Sequence, residues 1–222
     1  MTEGNAQELM NMVNVIMDSS QYINFKGIYS YSGLTYTKDG INTIQELHKL
    51  ELEYIKNAKK LIEGMGLEIP IISSGSTPAC SLVSEYDIIN EIHPGNYVFY
   101  DAMQYDFNVC NIQDISVSVL SRINGIYPER NEMTMDIGSV GLSLDLDHES
   151  HSYGFIHGYR DKLKISKLSQ EVGKITAIND YQINSNHFNI NDCIRIIPQH
   201  SCLTACQFPF YYIIDSNDIV VD

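Results

Sequence analysis

Two short polar segments in the first half of the chain could bind a phosphate group. Ser73–Thr77 (SSGST) directly follows the apolar run IPII, and His93–Asn96 (HPGN) follows the next strand-like run. Small residues let the backbone approach a ligand closely, and backbone N–H groups and hydroxyls bind phosphate oxygens. Two tight turns would leave the same pattern, and spacing alone favours that simpler interpretation.

A histidine and a cysteine two residues apart, His200 and Cys202, could bind a metal ion. In an extended segment, residues two apart point the same way. Both side chains would then face one zinc ion, which favours imidazole and thiolate ligands. Two protein ligands do not complete a structural zinc site, but they suit a catalytic one with positions open to water or substrate. From spacing alone, a chance pair is the better interpretation.

A second group of metal-ligand residue types lies in the middle of the chain. It comprises His148, His151 and His157, with Asp145 and Asp147 nearby. Loops of this composition are usually solvated, so we interpret this group as a polar loop and not as a metal site.

Three tyrosines surround the end of a predicted strand: Tyr29, Tyr31 and Tyr36. Tyrosines at such a place can stack on an aromatic cofactor or hydrogen-bond to it. Core or rim positions are the more common role for tyrosine, and spacing does not decide between the two.

The elements that position these residues change character near residue 108. Before it, apolar periodicity predicts helices at 6–18 and 41–63, an extended run at 22–31 and strands at 69–77 and 88–93. The expected apolar stripe of the longer helix comprises Ile41, Ile44, Leu47, Leu50, Ile55 and Leu61. This alternation is typical of an α/β fold with parallel strands. So few α/β units cannot close a (β/α) barrel, which needs eight. The region is therefore either a small open sheet or part of a larger barrel.

The second half is dominated by short β-branched runs. From Val109 onward, runs such as KLKISKL, KITAIND, CIRIIP and FYYIID are separated by Gly, Asn, Asp and Pro. This pattern predicts an antiparallel β domain. We therefore divide the chain into an α/β domain at 1–108 and a β domain at 109–222.

Composition narrows the function classes. The 222 residues include 28 acidic and 14 basic side chains, for a net charge of −14, which argues against nucleic acid or an anionic membrane as a partner. No apolar run approaches the roughly 18 residues of a membrane span, so the default expectation is a soluble, cytoplasmic protein. The five cysteines are odd in number and scattered, unlike a disulfide framework. No Walker loop, G-x-S-x-G or H-E-x-x-H motif is present.

Five motifs in order resemble one enzyme family. GIYSYSGLTY, ISSGSTPAC, EIHPGNYVFYDAMQ, YPERNEMTMDIGSVGLS and IIPQHSCLTA are similar to the D-serine dehydratase and D-threonine aldolase-like family. The resemblance runs through nearly the whole chain. It implies a pyridoxal phosphate (PLP)-binding (β/α)8 barrel, of which 1–108 would be the C-terminal portion, followed by the antiparallel β domain at 109–222.

The resemblance also implies roles for individual residues. The family's PLP-contacting tyrosines match Tyr29 and Tyr36. Its first phosphate loop matches Thr77, and its second matches Gly95 and Asn96. The zinc ligands match His200 and Cys202, whereas Cys206 matches no ligand. The family's Schiff-base lysine would lie upstream of this chain, so we assign no catalytic residue within it and expect a fragment, a truncated gene model or a decayed copy.

The reaction that the resemblance implies is a PLP- and zinc-dependent β-elimination that converts D-serine to pyruvate and ammonia. PLP would act as electron sink, and zinc would help the hydroxyl depart. The histidine ligand should need an orienting partner, which the sequence does not reveal. Two alternatives stay open: an aldolase-like cleavage of β-hydroxy-D-amino acids, and a non-catalytic fragment that keeps the fold. A homodimer is expected for the full-length protein.

Overall fold

The computed structural model describes residues 3–184, 186–217 and 219–221. The chain forms two compact units. One is built from the chain up to Tyr97 together with Asp106–Val109, and the other from Val98–Tyr105 and the chain from Cys110 onward. The domain division at residue 108 stays a prediction. Within the described residues, no helix combines the length and the apolar character that crossing a membrane requires.

The first unit alternates helices and parallel strands. Its elements are α1 (Glu3–Asp18), β1 (Gly27–Tyr31), α2 (Ile41–Gly64), β2 (Ile71–Gly75), α3 (Thr77–Leu82) and β3 (Glu91–Ile92). The strands form one parallel sheet in the order β1-β2-β3. This α/β arrangement agrees with the apolar periodicity. An eight-stranded barrel is not seen in the described residues, so the barrel stays a proposal.

Helix α2 covers one face of this sheet with a stripe that differs in part from the expected one. Its buried residues are Ile44, His48, Leu52, Ile55 and Ile62. Residues three or four apart share a helix face, whereas residues two apart do not. Leu50 is two positions from both His48 and Leu52 and is therefore exposed. Ile41, the first residue of the helix, is exposed as well, so the predicted places of both residues on the stripe were wrong.

The second unit is an antiparallel β structure with short helices. Its elements are α4 (Ala102–Asp106), β4 (Val119–Tyr127), β5 (Glu132–Met135), α5 (Ser139–Leu142), β6 (Gly154–Ile156), β7 (Leu163–Leu168), β8 (Gly173–Ala177), β9 (Cys193–Pro198) and α6 (Ser201–Ala205). The six strands are ordered β6-β9-β4-β5-β8-β7. The two end strands approach each other, since the Tyr153 N–H donates to the Ile165 carbonyl at 3.1 Å. The sheet is thus a nearly closed barrel, and its antiparallel pairing confirms the β domain that the β-branched runs predicted.

Strict alternation along β4 shows why this sheet forms. Val119, Ser121 and Ile123 point inward and are buried, whereas Leu120 and Arg122 point outward. The inward apolar side chains join one core that includes Met133, Ile165, Ile175 and Ile196. Burying each such side chain contributes about 2 kcal/mol to folding.

Two strand predictions differ from the structure. The short β6 was not predicted, because its three residues are too few to show alternation. The run FYYIID at 210–215 is not a strand, and within it only Ile214 forms an isolated bridge, to Val220. Its large apolar side chains from Phe210 to Ile214 are exposed. A β-prone run becomes a strand only where a neighbouring strand and a half-buried surface receive it.

Candidate functional site

The predicted cofactor residues gather at one edge of the parallel sheet. Because β1, β2 and β3 are parallel, their carboxyl ends lie along the same edge, which is where α/β sheets bind ligands. The candidates lie on these strand ends or in the loops after them: Tyr29, Tyr36, Thr77, Gly95 and Asn96. All five belong to the α/β unit.

Thr77 occupies the turn from β2 into α3. Ser76 precedes it, and its hydroxyl accepts a hydrogen bond from the Ala79 N–H at 3.1 Å. Thr77 is fully buried, and its hydroxyl has no hydrogen-bond partner among the described residues. A buried hydroxyl without a partner costs about 1–3 kcal/mol. A phosphate oxygen placed against it would remove that cost, so Thr77 fits the predicted role.

The loop after β3 leaves open space beside its backbone. Gly95 is exposed, and a Cβ added to it would meet no other atom within 4 Å. Asn96 is 4% exposed and therefore nearly buried. Crowding does not require a glycine at position 95, but the open space beside its backbone leaves room for a ligand. The phosphate roles of Gly95 and Asn96 stay predictions.

His93 joins the first tyrosine at this edge. The Tyr29 and His93 rings are stacked, with centroids 4.2 Å apart and planes inclined by 22°. The His93 Nδ1 lies 2.9 Å from the Ser73 hydroxyl, whereas its Nε2 is buried without a partner in the described part of the chain. From the sequence, His93 was interpreted only as part of a possible phosphate loop. Its position at the end of a predicted strand was the available signal.

Tyr36 is held by different neighbours. It ends a short 3-10 turn at Gly33–Thr35 and is half-buried. Its ring centroid lies 6.2 Å from that of Tyr31 and 6.2 Å from that of Phe107, the latter in an edge-on geometry. Aromatic contacts of this kind stabilise a ring position. The Tyr36 ring is thus positioned by Tyr31 and Phe107, whereas the Tyr29 ring is positioned by stacking on His93.

The structure brings His200 and Cys202 together, although not in the expected backbone conformation. Strand β9 ends at Pro198, His200 is an extended residue before α6, and Cys202 lies inside α6. The prediction of one extended segment was therefore wrong, because the helix begins at Ser201. A side-chain hydrogen bond nevertheless joins the imidazole and the thiol.

Asp145 is the orienting partner that the sequence could not identify. Its carboxylate Oδ2 lies 2.5 Å from the His200 Nδ1, across 55 residues of sequence. This contact keeps a proton on Nδ1 and directs Nε2 away from the carboxylate, as in the carboxylate–histidine pairs of metal sites. The imidazole, thiol and carboxylate therefore suit a metal site, with Asp145 outside the ligand set.

The remaining residues of the histidine-rich loop are engaged in local contacts. Asp147 accepts hydrogen bonds from the Ser150 hydroxyl at 2.6 Å and the Ser150 N–H at 3.0 Å. The His151 Nδ1 lies 3.2 Å from the Glu149 carbonyl. In the part of the chain that the structure describes, no group of three or more His, Cys, Asp or Glu residues could hold a metal ion. A metal at His200 and Cys202 would therefore have two protein ligands from this chain.

The His200 imidazole is a strong base in this setting. Its pKa is raised to about 9, chiefly by the hydrogen bond to Cys202 and also by Asp145 and Asp101, while burial opposes the shift. The imidazole is thus cationic at neutral pH. A metal ion that took Nε2 would displace its proton, which couples metal binding to proton release.

A second carboxylate, Asp101, ties the metal candidate to a neighbouring helix. Asp101 is completely buried, and its two oxygens accept the Gln104 N–H at 2.9 Å and the Ser201 N–H at 2.8 Å. One side chain thus caps α4 and fixes the backbone between His200 and Cys202. Asp101 was not among the predicted site residues, although an aspartate before a helical Ala-Met-Gln is a common N-cap pattern.

Comparison with known proteins identifies the second half of the chain. Residues 116–214 match the family described as "Putative serine dehydratase domain". This part of the chain is therefore similar to the serine dehydratase domain. D-serine dehydratase of Dictyostelium discoideum is 40% identical over 97% of this chain and 58% of its own length. These findings confirm the resemblance inferred from the motifs.

Relatives with other names share the fold of this chain. D-threo-3-hydroxyaspartate dehydratase of Delftia sp. is 28% identical over 83% of this chain and 51% of its own length. Its solved structure superimposes with a TM-score of 0.85 at 25% identity, covering 97% of this chain and 59% of that one. A cysteine-to-alanine variant of that enzyme was solved in a metal-free form, with a TM-score of 0.83. The chain thus spans between half and three-fifths of the relatives it matches.

Proposed function

We propose that the protein is a PLP- and zinc-dependent D-serine dehydratase, to which this chain contributes part of both sites. The net reaction removes the α-proton and the hydroxyl of D-serine and yields pyruvate and ammonia. The observation that carries the proposal is the 40% identity to a D-serine dehydratase over 97% of the chain. The two candidate sites supply the chemistry that such a reaction needs.

The carboxyl edge of the parallel sheet is the proposed cofactor site. When bound, PLP supplies the electron sink that removal of an α-proton requires. The buried Thr77 hydroxyl would donate a hydrogen bond to the phosphate, and the backbone at Gly95 and Asn96 would line its other side. The stacked Tyr29 and His93 rings offer a flat aromatic surface beside the loop. These residues bind and orient; none of them is assigned the Schiff base.

His200 and Cys202 are the proposed zinc ligands. When bound, zinc supplies a Lewis acid for the departing hydroxyl. Asp145 holds the proton of His200 on Nδ1 and so leaves Nε2 to face the metal. The related D-threo-3-hydroxyaspartate dehydratase supports this assignment: its cysteine variant was solved metal-free, and a histidine variant was made two positions earlier, the spacing found here.

The test is an assay of pyruvate release by the full-length protein. D-serine, L-serine and D-threonine are supplied in turn, with PLP and zinc present together or singly. We expect pyruvate from D-serine only, and only when both are present. Pyruvate formation unchanged by a zinc chelator would overturn the metal assignment, and no pyruvate from D-serine under any condition would overturn the proposal.

D-threo-3-hydroxyaspartate is the second candidate substrate. A dehydratase with that name is 28% identical to this chain, and both substrates lose a β-hydroxyl. Dehydration of this substrate gives oxaloacetate where D-serine gives pyruvate, so the ratio of the two products at equal substrate concentrations decides between them. Glycine plus an aldehyde from D-threonine would instead identify the aldolase alternative.

A further inference from the structure

One glutamate on α2 joins the carboxyl ends of two sheet strands. The half-buried Glu51 carboxylate accepts hydrogen bonds from the Ser30 hydroxyl at 2.5 Å, the Ser74 hydroxyl at 3.1 Å, and the Ser32 hydroxyl. A carboxylate has two oxygens and no proton, so all three hydroxyls act as donors. Hydrogen bonds to an ionised group are about twice as strong as neutral ones.

The position of this cluster in the sheet links it to both candidate loops. Ser30 of β1 and Ser74 of β2 are directly paired in the parallel register. Ser32 opens the turn that leads to Tyr36, and Ser74 precedes the turn that leads to Thr77. Glu51 therefore holds the two strands at the point where each of them enters its loop.

The number of hydroxyl protons decides which residue donates in the hydrogen bond between Thr35 and Ser76. The Thr35 hydroxyl donates its only proton to the Ser32 carbonyl, at 2.6 Å. The 2.6 Å hydrogen bond between Thr35 and Ser76 must then be donated by Ser76. The Ser76 oxygen also accepts the Ala79 N–H at 3.1 Å. The Ser76 hydroxyl is thus fully engaged within the protein and has no proton to offer a ligand.

Hydrogen bonds therefore connect α2 to the loop after β2, by way of the hydroxyl and then the backbone carbonyl of Ser32. From Glu51 they pass through Ser32 and Thr35 to Ser76, the residue before Thr77. Ser32, Thr35 and Ser76 are all buried, so water does not replace these contacts easily. The two loops are thus linked by side-chain hydrogen bonds in addition to the β1–β2 pairing, and Glu51 lies at one end of these links.

We propose that Glu51 is a positioning residue for phosphate-ester binding, which it controls by holding the Thr35–Ser76 link and thereby the Thr77 hydroxyl. The proposal rests on the proposed function, because it takes the phosphate group of PLP as the ligand of Thr77. In this proposal, the Ser76 hydroxyl bonds only within the protein, and the Thr77 hydroxyl binds the phosphate. Glu51 itself touches neither ligand nor cofactor.

The test compares Glu51→Gln with Glu53→Gln in the full chain. Both residues are on α2, but Glu53 is exposed and serves as the matched control. Each protein is titrated with pyridoxine 5′-phosphate and with unphosphorylated pyridoxine, neither of which has an aldehyde that reacts with surface lysines. Loss of one charge-assisted hydrogen-bond network predicts about tenfold weaker binding of the phosphate ester to Glu51→Gln. Binding of pyridoxine should change by less than about twofold in both variants.

The ratio of the two affinities separates positioning from general damage. An equal loss for both ligands, or equal behaviour of the two variants, would overturn the proposal for Glu51. If wild type does not bind the phosphate ester, the proposed function fails, and amide hydrogen exchange then decides the Glu51 network. Faster exchange at 32–36 and 76–79 in Glu51→Gln alone supports the network, and equal exchange in both variants overturns it. Thr35→Val, which removes the link without touching the carboxylate, replaces Glu51→Gln if that variant does not fold.

Discussion

The two candidate sites of this chain are built in contrasting ways. At the sheet edge of the α/β unit, neutral hydroxyls surround one carboxylate, and every contact of Glu51 spans 19 to 23 residues. In the β unit, the imidazole of His200 contacts a carboxylate 55 residues away, and the carboxylate of Asp101 reaches across 100 residues. Parallel register thus organises the first site locally, whereas the second depends on the complete β unit. Disturbing the β unit should therefore have larger consequences.

The largest expected difference concerns Cys110, a half-buried thiol of the β unit. The pKa of Cys110 is raised to about 12, first by burial and then by the negative charges of Asp101 and Asp114. Because the thiolate is the reactive form, alkylation of Cys110 at pH 8 should be about a thousandfold slower than that of an ordinary thiol and rise about tenfold per pH unit. Timed iodoacetamide labelling read by mass spectrometry measures this, with the exposed Cys193 as internal reference.

Equal labelling rates for Cys110 and Cys193 in the folded protein would contradict the raised pKa of Cys110. Asp114→Asn is a second test, because removing one of the two charges should lower the pKa of Cys110 and speed its labelling. Burial is the first cause of the shift, so most of the protection should remain.

Removing the buried carboxylate of Asp101 should strongly destabilise the β unit. In Asp101→Asn, one of the two backbone donors, at Gln104 or Ser201, faces an amide NH2 in place of an acceptor. Hydrogen bonds to a charged group contribute about 1.5–3 kcal/mol, and we expect a loss of about 2–3 kcal/mol in the free energy of unfolding. Urea denaturation measures it. Asp161→Asn, an exposed substitution in the same unit, should change that value by less than about 0.5 kcal/mol.

Metal affinity should respond to a residue that is not itself a ligand. Replacing Asp145 by Asn removes the charge behind the His200 Nδ1, and changes of this kind lower zinc affinity about 10–100-fold. Competition with a chelating dye measures the affinity.

Cys202→Ala should abolish stoichiometric zinc binding, whereas Cys206→Ala, which alters an exposed thiol four residues later, should leave it unchanged. Zinc retained by Cys202→Ala would show that the metal binds elsewhere.

The same contrast explains how much the sequence could predict. Helices α1 and α2 and most of the antiparallel strands follow from apolar periodicity, and small-residue loops after strands pointed to Thr77. Resemblance added the proposed zinc-binding roles of His200 and Cys202, although the extended conformation expected for them was wrong. Asp145 could not be assigned as the partner of His200, because side chains 55 residues apart leave no local pattern. Asp101 showed only its N-cap pattern before α4, and nothing local indicated its second contact 100 residues away. Glu51 left only a weak sequence signal, because it is an acidic residue beside the buried stripe of α2.

The smallest expected effect has opposite signs for stability and binding. Thr77→Val replaces a buried hydroxyl that lacks a partner among the described residues with a methyl group of similar size. Removing an unsatisfied polar group should leave the free energy of unfolding unchanged or raise it by about 1 kcal/mol. Affinity for pyridoxine 5′-phosphate should fall about tenfold, as for the loss of one hydrogen bond.

The matched control is Thr204→Val in the β unit, where the buried hydroxyl donates to the Leu142 carbonyl at 3.2 Å. That variant should lose stability and keep its affinity, because its hydroxyl is satisfied within the protein. If Thr77→Val instead lost stability and kept its affinity, the Thr77 hydroxyl would belong to the scaffold, and the sheet edge would need another donor for the phosphate.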